Sequence, residues 1–234
     1  MEPNFSFNTQ SHDYWEIYES IRKYYPIGLE RKEGKGIYFK YPGKKKLEDI
    51  IVENVHDDQN YQERWVKFTE GIGRELREEI IGTTYGQAPS FSSSIILERN
   101  QHKSCRHSKE LHFAVSFVGG FFQIYGIDMT TIVEEDDLRG YPSINVVTTS
   151  PFLEFREAFE LVERRLRERY TGYRIVPFWI GQTVIHGLEV AYLDDKNCTI
   201  NQALFNNFLG DDKLTRSIRG DRYYGERDWR RAGA

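Results

Sequence analysis

His102, Cys105, His107 and His112 fall within eleven residues, and cysteine and imidazole are ligand types that zinc prefers. Their spacing fits no finger or ribbon, so a metal site here would need further ligands, such as Cys198 or His186. The plainer reading is a polar loop carrying His102 and His107, leading into a strand that holds His112. Cys105 has a histidine two residues on, but catalytic dyads are assembled in space rather than in sequence, and no nucleophile signature flanks it. Glu134, Glu135, Asp136 and Asp137 form one dense acidic run. Carboxylates bind divalent metals in nucleases, with Glu134 and Asp136 the candidates here, yet such sites usually draw ligands from several elements facing one cleft. A solvated loop, or an acidic recognition surface for a basic partner, accounts for the run more simply. The doublets Asp194-Asp195 and Asp211-Asp212 favour recognition. The motifs G-x-x-x-x-G-K-[ST], G-x-G-x-x-G after a strand, H-E-x-x-H and G-x-S-x-G are absent, and Gly71-Ile72-Gly73 sits inside a helical pattern. The expectation is no catalytic residue, no cofactor and no metal, with Glu134, Glu135, Asp136, Asp137, Asp194 and Asp195 as partner-binding residues.

Those residues need elements to hold them. Ser11 reads as an N-cap for a helix with Tyr14, Ile17, Tyr18, Ile21 and Tyr25 at helical spacing, stopped by Pro26. Ile37–Tyr41 reads as a short strand and Lys44–Val55 as a short helix. Trp65, Phe68, Ile72, Leu76 and Ile80 form one apolar stripe, with Gly82 as its C-cap. The pattern then turns to strands at Phe91–Glu98, Leu111–Val118, Phe121–Asp128 and Ile144–Thr148. Gly119-Gly120 predicts a type I′ hairpin between the second and third. Ser150-Pro151 opens a helix lined by Phe155, Phe159, Val162 and Leu166. Two further strands are expected at Tyr173–Ile180 and Val184–Tyr192, and Thr199 caps a last helix, Ile200–Leu209. The fold expected is α+β: a mainly antiparallel sheet of five or six strands packed with helices, within a single domain over residues 1–212. Its helical N-terminal part covers 11–82 and its sheet-containing part 90–210.

Composition supports a folded core. The chain has 234 residues, 39% of them hydrophobic, with 15 Tyr, 15 Phe and 4 Trp, and a net charge of −4. Disorder, collagen-like repeats and a disulfide scaffold are excluded. No apolar run reaches membrane-spanning length and the first residues lack a signal-peptide pattern, so a cytoplasmic protein with Cys105 and Cys198 reduced is expected. Seven basic against three acidic residues give Lys213–Ala234 a net charge of +4, so the remainder carries −8. With Tyr223, Tyr224 and Trp229 interspersed, residues 213–234 read as a poorly ordered or partner-dependent arm. Arginine and aromatic side chains suit nucleic acid, but the acidic body argues against direct nucleic-acid binding.

Three segments together resemble a known group. They are the apolar hairpin Phe113–Gly126, the helix start Ser150–Phe159 (Ser-Pro-Phe-Leu-Glu-Phe-Arg-Glu-Ala-Phe), and Thr199–Phe205 (Thr-Ile-Asn-Gln-Ala-Leu-Phe). With the helical region before them, they resemble immunity proteins of bacterial toxin–antitoxin competition systems and are similar to the immunity-protein-52 group. The likeness covers residues 90–210 and rests on core and capping patterns; the basic C-terminal stretch has no counterpart in it. It implies a non-enzymatic inhibitor that binds a cognate protein toxin, such as a nuclease, and blocks its active site. Two alternatives stand beside it: a structural or assembly protein of a bacterial or phage particle, consistent with a homo-oligomer, and a metal-dependent hydrolase.

Overall fold

The computed structural model describes residues 7, 10–29, 31, 36–102, 104–133, 140–210 and 217–231. Four helices come first: α1 (Trp15–Tyr24), α2 (Pro42–Ile51), α3 (Asp58–Tyr61) and α4 (Lys67–Leu76), with π-helical turns at Val52–His56 and Gln62–Val66. The strands β1 (Glu79–Gly82), β2 (Ser90–His102), β3 (Cys105–Ser116), β4 (Phe121–Val133) and β5 (Gly140–Thr148) follow. After them come α5 (Arg156–Arg169), β6 (Arg174–Ile175), α6 (Phe178–Gly181), α7 (Ile200–Leu204) and β7 (Ser217–Arg219). The strands form one sheet in the order β1-β2-β3-β4-β5-β7, with β6 pairing β4; only the β6 and β7 pairings are parallel. The fold is α+β, as expected, with more strands than the sequence suggested because β1 and β7 are too short to read. No helix among the described residues is long and apolar enough to cross a membrane.

Strand alternation sorts the sheet into two faces. Phe91, Ile95, Leu111, Phe113, Val115, Phe122 and Ile124 point to one face, where Trp65 and Ile72 and the α5 stripe Phe159, Val162 and Leu166 cover them. The α5 stripe is as the periodicity predicts, and Phe155, Phe159, Val162 and Leu166 are all fully buried. The Trp65 indole stacks on Phe91 and donates to the Ser93 hydroxyl at 2.9 Å, so its one polar atom is satisfied inside the core. On the other face Ala114 and Phe121 pack under α1, α2, α7 and the loops carrying Leu188, Val190 and Cys198. Cys105 and Cys198 are both free thiols.

Several local expectations are corrected. Neither Gly119 nor Gly120 has a positive φ, and four residues, not two, connect β3 to β4. Gly119 is required for space instead: a Cβ there would lie 2.5 Å from the Phe121 ring. Ile37–Lys40 is a turn, not a strand, and the helix of the Trp65 stripe ends at left-handed Arg77, so Gly82 is no cap. Ser150 does not cap α5, which starts at Arg156 after a 3-10 turn; its hydroxyl accepts from the Asp221 amide at 2.9 Å. Tyr173–Ile180 yields only the two-residue β6 before α6, and Val184–Tyr192 contributes one isolated bridge, Val184 to Thr199. Thr199 does cap α7, through a reciprocal capping box with Gln202.

The C-terminal stretch is not a loose arm where it is described. Residues 217–219 add β7 to the sheet, and Trp229 is 1% exposed. Its indole donates to the Ile175 carbonyl at 2.8 Å and packs on Tyr14 and Phe121, with the Arg174 guanidinium 4.1 Å from its ring centroid. Asp228 accepts from the Ile175 amide at 3.1 Å and from Arg167 at 2.9 Å, and Tyr224 donates to Glu163 at 2.6 Å. The aromatic residues that suggest an arm, Tyr224 and Trp229, serve these internal pairs, and Arg219 of β7 donates to Thr148 and Glu154.

Candidate partner-binding surface

The sheet outruns the layers that cover it. In β2 Ser90–Ile96 are buried, Leu97 and Glu98 are half-buried, and Arg99–His102 are exposed; Gly140–Ser143 of β5 are exposed as well. The distal halves of the β2–β3 and β4–β5 hairpins therefore form a four-stranded blade. Among the described residues no strand pairs with its outer edges. β1 pairs only with Ser93–Ile96 of β2, and β7 only with Val146–Thr148 of β5.

Register places the chemistry-bearing side chains in rows on one face of this blade. Glu98, Lys109 and Asp128 make one row, Asn100, His107 and Thr130 the next, and His102, Cys105, Ile132 and Tyr141 the last. The inner rows are tied together. Lys109 pairs with Glu98 at 2.7 Å, and Asp128 accepts from Asn145 at 3.0 Å and contacts His107 Nε2 at 2.9 Å. Asn145, the extra residue of the β5 bulge, also donates to Thr130 at 2.9 Å. Burial alone would push the Asp128 carboxyl up. The hydrogen bonds from Asn145 and His107 and the nearby Lys109 charge outweigh it and hold the group below the usual aspartate range. The last row ends in an apolar pair: Ile132 and Tyr141 oppose each other across β4 and β5, each 58% exposed. Such a pair is ordinarily placed in a core.

The four residues of metal-ligand type are split. His102, Cys105 and His107 share the blade face, while His112 points to the opposite face, buried between Tyr125 and Phe208 and 3.1 Å from Glu110. Two residues expected in a loop, His102 and His107, lie in β2 and β3. Among the described residues no group of three His, Cys, Asp or Glu side chains could hold a metal ion. His107 spends Nε2 on Asp128 and makes no hydrogen bond to the Cys105 thiol. The suggested extra ligands are elsewhere: Cys198 is buried under the other face, its thiol 3.6 Å from the Asp195 carbonyl.

Glu134, Glu135, Asp136 and Asp137 lie outside the described residues, between the end of β4 and the start of β5. Asp194 and Asp195 are exposed on the loop before Cys198, whose neighbours Tyr192 and Leu193 pack on the core at the β3–β4 turn. That is the other end of the sheet. Twelve residue steps separate Phe121 from Val133 in β4, about 40 Å at the rise of a strand. The structure does not bring Asp194 and Asp195 to the blade. Ile132 and Tyr141 were missed in the sequence, although the alternation of β4 runs on past Asp128 through Thr130 and Ile132.

No family model matches the chain, and no curated protein or solved structure is similar to it.

Proposed function

We propose that the chain is a non-catalytic, cytoplasmic immunity protein that docks its blade on a cognate protein toxin, a nuclease, and covers the toxin's active site. The exposed Ile132–Tyr141 pair carries this reading. An aromatic and an aliphatic anchor, with the polar rows of His107, Thr130, Asp128 and Asn145 behind it on the same face, has the make-up of a binding hot spot. The strand edges beside it, which pair with no described strand, suit extension by a partner strand. The −8 charge outside Lys213–Ala234 suits a basic, nucleic-acid-binding partner and steers its approach. Glu134, Glu135, Asp136 and Asp137, between the two anchors in sequence, add to that charge, with Asp194 and Asp195 contributing from a distance.

The test is co-expression in a bacterial host with the toxin encoded beside this gene. Wild-type protein restores growth and co-purifies with the toxin, and reversing Glu134, Glu135, Asp136 and Asp137 to Lys slows association most at low salt. Absence of a complex, or turnover of a nucleic acid or ester by the purified protein alone, overturns the reading.

A further inference from the structure

A cavity of about 340 Å³ lies at the other end of the molecule, between the end of α1, one face of α2, the loop at Gly86-Gln87 and the loop at Val190–Tyr192. Its volume is within the range of about 300–1,000 Å³ typical of small-molecule sites. Tyr25, Leu47, Ile51 and Val190 give it apolar walls. The hydroxyls of three lining tyrosines are already used: Tyr25 donates to Ala203, Tyr38 to Glu189 and Tyr192 to Gln202 backbone carbonyls. These three hydroxyls are therefore engaged, and the tyrosine rings add aromatic surface to the lining.

Two charged side chains of α2 line it, Lys44 and, one turn on, the exposed Glu48. Lys44 lies 4.3 Å from the Tyr38 ring centroid and 5.4 Å from that of Phe39, and no carboxylate pairs with it among the described residues. Its neighbour Lys45 turns outward and pairs with Asp49 at 2.7 Å. Burial lowers the Lys44 pKa, with Arg31 acting in the same sense and Glu48 and Glu189 opposing. An ammonium half-buried in this way, with Glu48 near but not in salt-bridge contact, gains from a ligand that brings a counter-charge. The far end of the same α2 face runs into the π-helical turn Val52–His56, where His56 Nε2 is fixed 2.8 Å from the Gly86 carbonyl. Such turns recur at functional sites.

We infer that this cavity is a binding site for a small monocarboxylate with an aromatic or aliphatic body, its carboxylate on Lys44 and its body between the tyrosine rings and Leu47. It is separate from the blade, so its fate does not depend on the toxin reading.

The test is an amide ¹H–¹⁵N NMR titration of the full chain with three probes of one shape: 3-phenylpropionate, its neutral amide 3-phenylpropanamide, and the cation 3-phenylpropylamine. Phenylpropionate should shift the signals of Lys44, Gly86, Gln87 and Ala191 and bind about ten- to a hundredfold more tightly than the amide, as a charge-assisted contact implies. Lys44→Met should erase that preference and Lys44→Arg should keep it. Val52→Trp, at an exposed lining position, should block all three probes while the rest of the spectrum stays native. Equal binding of acid and amide, tighter binding of the amine, unchanged selectivity in K44M, or shifts confined to other residues would each overturn the site.

Discussion

Trp229→Ala separates a packed C-terminus from a loose one. The side chain is 1% exposed, so removing it opens a cavity among Tyr14, Phe121 and the Arg174 stem. Truncation of a buried tryptophan costs about 3–5 kcal/mol. The Ile175 carbonyl also loses its 2.8 Å donor, worth about 1 kcal/mol more where that oxygen stays buried. Urea denaturation followed by far-ultraviolet circular dichroism should therefore show a loss of about 4–6 kcal/mol at an unchanged m-value. At roughly 2–4 °C per kcal/mol for a chain of this size, the melting temperature should fall by roughly 8–24 °C. Trp229→Phe, which keeps a ring and loses the N–H, should cost less than half as much. A loss below about 1 kcal/mol for W229A would refute the packing argument and return the segment to a loose arm.

Phe159→Ala should destabilise by about 3–5 kcal/mol in the same assay, because the ring is fully buried between α5 and the sheet. Gly119→Ala should be destabilising even though its φ suits any residue, since the new Cβ would meet the Phe121 ring at 2.5 Å; an unchanged melting temperature would contradict that geometry. Burial pushes the Glu110 carboxyl up, but the hydrogen bonds from His112 and Ser108 and the His112 charge outweigh it, so its pKa in the fold lies below the ordinary 4.5. A depressed carboxylate pKa gives stability that is present above 4.5 and lost as the pH falls through the lower folded value. Wild type should thus lose more stability than Glu110→Gln between pH 5 and pH 3, and parallel curves would contradict the pairing.

The α5 stripe and the meander from β2 to β5 are legible because each element repeats one period over many residues. The Thr199 cap is legible because capping is a local signal, although the helix it starts ends at Leu204 rather than Leu209. The C-terminal stretch is not, since Trp229 and Tyr224 find partners 54 and 61 residues away, and no local pattern announces them. Between Pro177 and Thr199 apolar residues suggest strands. Gly187 at a φ of +77° and the bonds Ile185 to Cys198 and Cys198 to Leu188 make a folded-back loop instead. At the blade, alternation alone separates His107 from His112. The Asp128 partner of His107 and the Ile132–Tyr141 pair come from strand register, which the sequence does not spell out.

If the exposed end of the blade binds a protein partner, the double variant Ile132→Asp/Tyr141→Asp should break that contact. Both side chains are 58% exposed, so the substitutions should leave the melting temperature within about 2 °C of wild type. Dissociation of the toxin complex, measured by biolayer interferometry, should be accelerated at least about a hundredfold, as expected when two hot-spot anchors are removed. Wild-type dissociation from a natively folded double variant would contradict the account.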